Sequence, residues 1–253
     1  MKKILLALAA LTAFSLGVSA QDLDIEGFNE IPLSKEGSKI ETDLGFGFPM
    51  YFGASTLINP SYKGEWAAAE KLVPGFMDTQ IPRNFVYGLD MLTLNIRVDG
   101  APLDFSLGLR WTFMDFTFKN PGYTLRQIGQ TYLPYAIDVE TPSYDGKKSK
   151  LHANYLGVPL RVKFNAGKGF IYAGASAELL ISGYTKYKKP RVRTNNNGIF
   201  SPFRATVEAG FGYEGLGFFV SYGLTPLFPA ELSDAHTLSF GLTMGLEDGA
   251  AGD

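Results

Sequence analysis

Leu103-Asp104-Phe105-Ser106-Leu107-Gly108-Leu109-Arg110-Trp111-Thr112-Phe113 alternates without a break. Leu103, Phe105, Leu107, Leu109, Trp111 and Phe113 share one face, and Asp104, Ser106, Gly108, Arg110 and Thr112 share the other. A period of two is the strand period, because successive side chains of an extended chain point to opposite sides. Here one face is entirely large and apolar while the other is charged, small or hydroxylic, a pattern that a soluble sandwich or lipocalin strand shares with a membrane strand. Lipid accepts only structures whose backbone groups are all paired internally. Strands in a bilayer must therefore close into a barrel, apolar outside and polar inside.

Moving outward from this stretch, which extends as a strand to Phe118, the pattern recurs on both sides. A first strand over Ile40–Ala54 turns Leu44, Phe46, Phe48, Met50 and Phe52 outward and Asp43, Gly45, Gly47 and Tyr51 inward. A second, Arg83–Val98, places Leu92, Leu94, Ile96 and Val98 outward, but its upper half has Phe85, Tyr87, Leu89 and Met91 in the opposite phase. A single phase would put Asp90 on lipid, and a bulge near Asp90 resolves the conflict. Downstream strands follow at Leu151–Asn165, Lys168–Tyr184, Ser201–Tyr213, Leu216–Phe228 and His236–Glu247. The fold class expected is all-β, a closed antiparallel up-and-down transmembrane barrel of eight strands, an even number as bacterial barrels require.

The connections support this count independently of the alternation. Segments 55–82, 119–150, 185–200 and 229–235 are long, and 99–102, 165–169 and 214–215 are short, in strict alternation. Outer-membrane barrels have short periplasmic turns and longer external loops, so both termini are expected in the periplasm. Within the first long connection, Trp66 to Leu72 reads as a short helix. Asp145-Gly146-Lys147-Lys148 reads as a turn.

Residues 1–20 read as a secretory leader: Lys2 and Lys3, the apolar run Ile4 to Phe14, then Val18-Ser19-Ala20 before Gln21. Residues 21–39 are polar and acidic, a periplasmic segment, the barrel occupies 40–247, and 248–253 form a tail. Losing Lys2 and Lys3 takes the formal charge from -2 to -4, which leaves no broad basic field. The absence of Cys excludes disulfides, thiolate metal sites and a lipidated cysteine. Mean hydropathy of +0.01 looks soluble, but every second residue of a barrel strand is polar, so the average conceals the pattern. Aromatics at 14% suit lipid interfaces, and 29 Gly suit a crowded inner wall.

The segment Tyr155-Leu156-Gly157-Val158-Pro159-Leu160-Arg161-Val162-Lys163-Phe164, followed by a short turn and Phe170-Ile171-Tyr172-Ala173-Gly174-Ala175-Ser176-Ala177, resembles the porin-family outer-membrane β-barrel domains of the Bacteroidota, PorT-like type. The resemblance spans Ile40 to Glu247, and these two strands are its specific part. It implies residence in the bacterial outer membrane among lipid and lipopolysaccharide, insertion by the barrel-assembly machinery, and the porin-family role as an alternative function. Proline removes a ladder donor, so Pro159 is expected at a local bulge. The C-terminus departs from the barrel habit of ending on an aromatic residue.

The inward positions Asp104, Glu178 and Glu208 against Arg110, Arg161, Lys163 and Arg204 give three acids and four bases. Eight strands enclose a lumen that side chains can fill, and buried charges must pair there. A structural ion-pair network is the plain reading, with a narrow channel or small-solute path as the alternative. An outer-membrane lipid-modifying enzyme needs a serine beside a histidine. His152 and His236 both fall on the outer face by parity, with Asn154 and Leu238 two positions on, and no outward serine stands beside either. The expectation is a non-enzymatic protein without cofactor, catalytic residues or metal site, with external loops for structural, adhesion or assembly roles. Lys186, Lys188, Lys189, Arg191 and Arg193 cluster beside Tyr184 and Tyr187. In an exported barrel such bases meet lipopolysaccharide phosphates rather than nucleic acid.

Overall fold

Alternating apolar and small side chains give each strand one face for lipid and one for a narrow lumen, and closure removes every free edge. The computed structural model describes residues 31–32, 39–45, 49–98, 102–188 and 190–246. The leader, most of the periplasmic segment, Phe46, Phe48, Lys189, Glu247 and the tail lie outside the described residues.

In chain order the strands are β1 (Ile31–Pro32), β2 (Lys39–Gly45), β3 (Met50–Ile58), β4 (Phe85–Val98), β5 (Leu103–Thr117), β6 (Tyr123–Ile128), β7 (Thr131–Ala136), β8 (Ser149–Ala166), β9 (Gly169–Tyr187), β10 (Val192–Asn195), β11 (Phe203–Tyr213), β12 (Leu216–Gly223) and β13 (His236–Met244). Antiparallel pairings run β3-β4-β5-β8-β9-β11-β12-β13 and return from β13 to β3, which closes an eight-stranded up-and-down barrel. The expected first strand is two pieces on one edge of β4: β2 pairs with its lower half, Ile40 opposite Val98, and β3 with its upper half, Met50 opposite Leu89. Strand seven is shorter than its pattern, since β12 ends at Gly223 and Leu224–Phe228 belongs to the loop.

The short turns carry the backbone geometry that tight hairpins need. Glu214 and Gly215 both have positive φ, 48° and 79°, the left-handed pair of a two-residue turn matched to sheet twist. Opposite them lie the long connections, and they are folded. The helix α1 (Gly64–Leu72) stands in the first, the β6–β7 hairpin and the one-turn helix α2 (Ile137–Glu140) in the second, and β10 in the third. The β6–β7 hairpin escaped sequence reading. The third connection also starts later than expected, because β9 continues through Tyr187 and pairs with β10.

Two bulges reset the alternation. Between Asp90 and Leu92 the β4–β5 register shifts by one, so Met91 is the extra residue. Asp90 and Val86 are then buried in the lumen while Phe85 and Tyr87 face out, as the expected bulge requires. On β9 the register with β8 shifts between Asn154 and Tyr155, which makes Ile181 the extra residue and turns Ser182, Tyr184 and Lys186 outward. No bulge occurs at Pro159. Register with β5 is the same above and below it, and the ladder is merely interrupted where Pro159 faces Gly108, whose missing side chain makes room for the ring.

Candidate functional site

The lumen is the first place to look for a site, and each inward side chain is placed by strand parity. At the periplasmic end Asp104 of β5 receives Arg97 Nε at 3.2 Å, Lys163 Nζ at 3.4 Å and Asn165 Nδ2 at 2.7 Å. At mid-height two carboxylates and two guanidiniums interleave. Arg110 donates through Nε to Asp90 at 2.7 Å and through Nη1 and Nη2 to Glu208 at 2.6 and 3.1 Å. Arg161 donates through Nη2 to Asp90 at 2.6 Å and through Nε to Glu208 at 2.5 Å. The Tyr51 ring covers both guanidinium carbons at 4.2 and 5.0 Å, a cation–π contact on a desolvated pair. One layer further out, Arg204 Nη1 donates to Glu178 at 2.8 Å and Nη2 to Thr237 Oγ1 at 3.0 Å, with Thr112 and Ser176 hydroxyls also at Glu178.

All seven inward charges read from the sequence face the lumen, but they form three layers rather than one mesh. Asp90 completes the middle layer and balances it, two acids against two bases. It was not counted because the odd-even phase of β4 is lost at Met91, and the signal that could have found it is that phase conflict. Between the middle and outer charged layers a cavity of about 30 Å³ remains, bordered by Tyr51, Arg110, Glu178, Arg204 and Glu208. That is more than the roughly 10–15 Å³ that one water needs.

Above the charges the lumen becomes an apolar core. Met114, Phe116, Leu151, Ala153 and Tyr155 of the strands are buried against Phe200, Leu227 and Phe228 of the connections. Trp66 of α1 seals this layer: it is fully buried, its Nε1 donates to Tyr132 O at 2.6 Å, and its ring meets Tyr62, Phe76 and Phe228 edge-on. Glycine clears the space that inward rings need at both ends of the lumen. A Cβ on Gly210 would lie 2.4 Å from the Tyr172 ring, and one on Gly183 2.4 Å from that of Phe200. The long connections thus form a packed cap over the mouth.

The outer surface carries the second candidate. On β8 the outward run Phe164, Val162, Leu160, Val158, Leu156 gives way at Asn154 to polar residues. At about 3.4 Å per residue and a tilt near 40°, that run rises about 21 Å, close to the expected apolar height of about 25 Å. A girdle of rings marks its upper edge: Tyr87 stacks on Phe113 at 4.4 Å, Phe113 on Trp111 at 5.0 Å, and His152 on Tyr184 at 4.3 Å. Asp115 bonds both Lys150 Nζ and His152 Nδ1, His152 Nε2 contacts Asn154 Oδ1 at 2.8 Å, and Asn154 Nδ2 donates to Ser182 Oγ at 2.7 Å. Parity without the Ile181 bulge places Ser182 inward, so the outward serine near His152 is a correction to the sequence reading. Asn154 separates the two, and Ser182 Oγ has no direct bond to the imidazole, the contact a serine nucleophile requires. His236 Nδ1 lies 2.8 Å from Gly223 O and its ring stacks on Tyr222.

Of the bases expected to meet lipopolysaccharide, Lys186 and Arg193 sit directly opposite each other on β9 and β10, and Lys150 of β8 sits opposite Lys186 on its other side. Arg193 lies over the Tyr184 ring at 3.8 Å. Lys188 and Arg191 are at the exposed hairpin tip, and Lys189 lies outside the described residues.

Neisserial surface protein A, a solved structure, has 10% sequence identity and a TM-score of 0.37, over 81% of this chain and 99% of its own. No curated protein sequence matches. The family model described as outer membrane protein beta-barrel domain matches residues 92–229, more than half of the chain and the greater part of the closed wall. With eight strands closed on themselves, rings at the edge of an apolar band and this match, the chain belongs to the outer membrane protein beta-barrel domain family and resides in the bacterial outer membrane.

Proposed function

We propose that the protein is a non-enzymatic, non-conducting outer-membrane barrel whose cap presents a fixed surface for structural, adhesion or assembly roles. One observation carries this reading: the lumen is occupied from the Asp104 layer through the Asp90–Arg110–Glu208–Arg161 layer to the Trp66 cap. A path for solute would have to separate these paired charges, and a charge left buried without its partner costs about 3–5 kcal/mol. The Tyr155-Leu156-x-x-Pro159 strand and its small-residue neighbour support a place in the Bacteroidota, PorT-like branch of the family. The fold class supports insertion by the barrel-assembly machinery. Purified protein in planar bilayers is expected to give no steps of general-porin size. Steady porin-like conductance would remove the closed-lumen reading and favour a solute channel.

A further inference from the structure

A row of like charges runs across the outer rim where the sheet should avoid it. Lys150, Lys186 and Arg193 stand in register on three adjacent strands, facing outward, at strand spacings of about 4.8 Å. Like charges directly opposite one another destabilise a sheet unless something neutralises them. The neighbouring carboxylate, Asp115, is already shared between Lys150 and His152. Among the described residues no carboxylate lies within ion-pair distance of Lys186 or Arg193. Behind the row the field stays positive. Lys148, in the connection before β8, is held below the ordinary lysine range by partial burial and then by Lys150 and Lys188.

Immediately below the row lies the girdle of His152, Tyr184, Phe113 and Trp111, and below that the apolar wall. Cations therefore sit at phosphate height, rings at the glycerol or sugar height, and aliphatic side chains at acyl-chain height, all on one strip of β5, β8, β9 and β10. That vertical order matches one kind of molecule.

We infer that the Lys150–Lys186–Arg193 row, with the Tyr184–His152 shelf beneath it, is a binding site for an outer-leaflet lipid whose headgroup carries phosphate monoesters. The inference rests on the outer-membrane placement but not on the closed lumen. A phosphate monoester offers three acceptor oxygens and up to two charges, enough to bridge neighbouring strands in the row. Arg193, whose guanidinium lies over the Tyr184 ring, offers forked N–H donors for paired hydrogen bonds, while Lys150 and Lys186 act as point charges. A free anion would need only the cations. The shelf and the wall below are what commit the site to a lipid.

The full chain, refolded into phosphatidylcholine nanodiscs, is to be titrated with diphosphoryl lipid A, with its dephosphorylated form, and with inorganic phosphate, and bound lipid read by native mass spectrometry. Retention of the diphosphoryl form and little of the dephosphorylated form is expected, with Lys186→Gln/Arg193→Gln weakening it on the order of tenfold or more. That pair leaves the Lys150–Asp115 contact intact, and heat-modifiable gel migration confirms that the variant is folded. Lys188→Gln/Arg191→Gln at the hairpin tip is expected to change retention by less than about threefold. Equal retention of both lipids, displacement by millimolar inorganic phosphate, or equal losses in the two variants would overturn the site. Conductance measured on the same protein tests the closed lumen separately.

Discussion

Glu208→Gln is the sharpest probe of the middle layer because it changes charge and almost nothing else. The side chain is nearly inaccessible and accepts from Arg110 at 2.6 and 3.1 Å and from Arg161 at 2.5 Å. Glutamine keeps the volume, so no cavity forms. What is lost is the attraction to two guanidiniums, each worth about 4 kcal/mol at a separation near 4 Å and an effective dielectric of about 20. Relief of the carboxylate's desolvation and of its repulsion with Asp90 offsets part of this. The remainder is expected to be about 3–5 kcal/mol of destabilisation, the usual result of leaving a buried charge without its partner. Adding Arg161→Gln restores neutrality and leaves the Arg110–Asp90 pair at 2.7 Å. The double variant should therefore be more stable than the sum of the single ones by at least about 1 kcal/mol, well outside the additivity error of about 0.5 kcal/mol. Urea unfolding in lipid vesicles, followed by tryptophan fluorescence, measures all four corners of the cycle. A single-variant cost below about 1 kcal/mol, or simple additivity, would mean that the layer is hydrated and its charges independent.

Two further perturbations separate the cap from the wall. Trp66→Ala removes a fully buried indole and its bond to Tyr132 O, and is expected to cost about 3–5 kcal/mol. The loss should appear as proteolytic cleavage within residues 59–84 while the folded barrel still migrates as such on gels, and cleavage no faster than in the parent would show that the cap does not depend on this ring. Gly210→Val drives a branched side chain into Phe218 O and the Tyr172 ring, both 2.4 Å from the new Cβ. Overpacking of at least about 1–3 kcal/mol should lower the urea midpoint, and an unchanged midpoint would mean that the inner wall is not close-packed there.

How much was legible in the sequence follows from what the period of two can and cannot carry. Leu103–Phe113 placed all its residues on the faces they occupy, because lipid on one side and lumen on the other penalise any slip of register. The eight-strand count came from the same alternation together with the loop rhythm, and the wall closes with that count. The β6–β7 hairpin was hidden for the opposite reason. On β6 the adjacent Thr124 and Leu125 are both buried, and every residue of β7 is half-exposed, so no sustained alternation marks the hairpin.

Asp90 and Ser182, two site residues that sequence reading missed, lie at or beyond a bulge, whereas Asp115 and Lys150 sit on strands without an extra residue. A single extra residue exchanges inside for outside over everything that follows it, and composition gives no sign of which residue is extra. At Met91 the conflict was visible, because a charged residue would otherwise have faced lipid. At Ile181 it was silent, since Ser182, Tyr184 and Lys186 are acceptable on either face of a rim. Yet that silent bulge is what brings Lys186 into line with Lys150 and Arg193, and what sets Tyr184 against His152. The lumen could be read from sequence because buried charge is costly enough to demand partners. The rim could not, because water and headgroups tolerate either phase there, and only the pairing of β8, β9 and β10 brings its cations together.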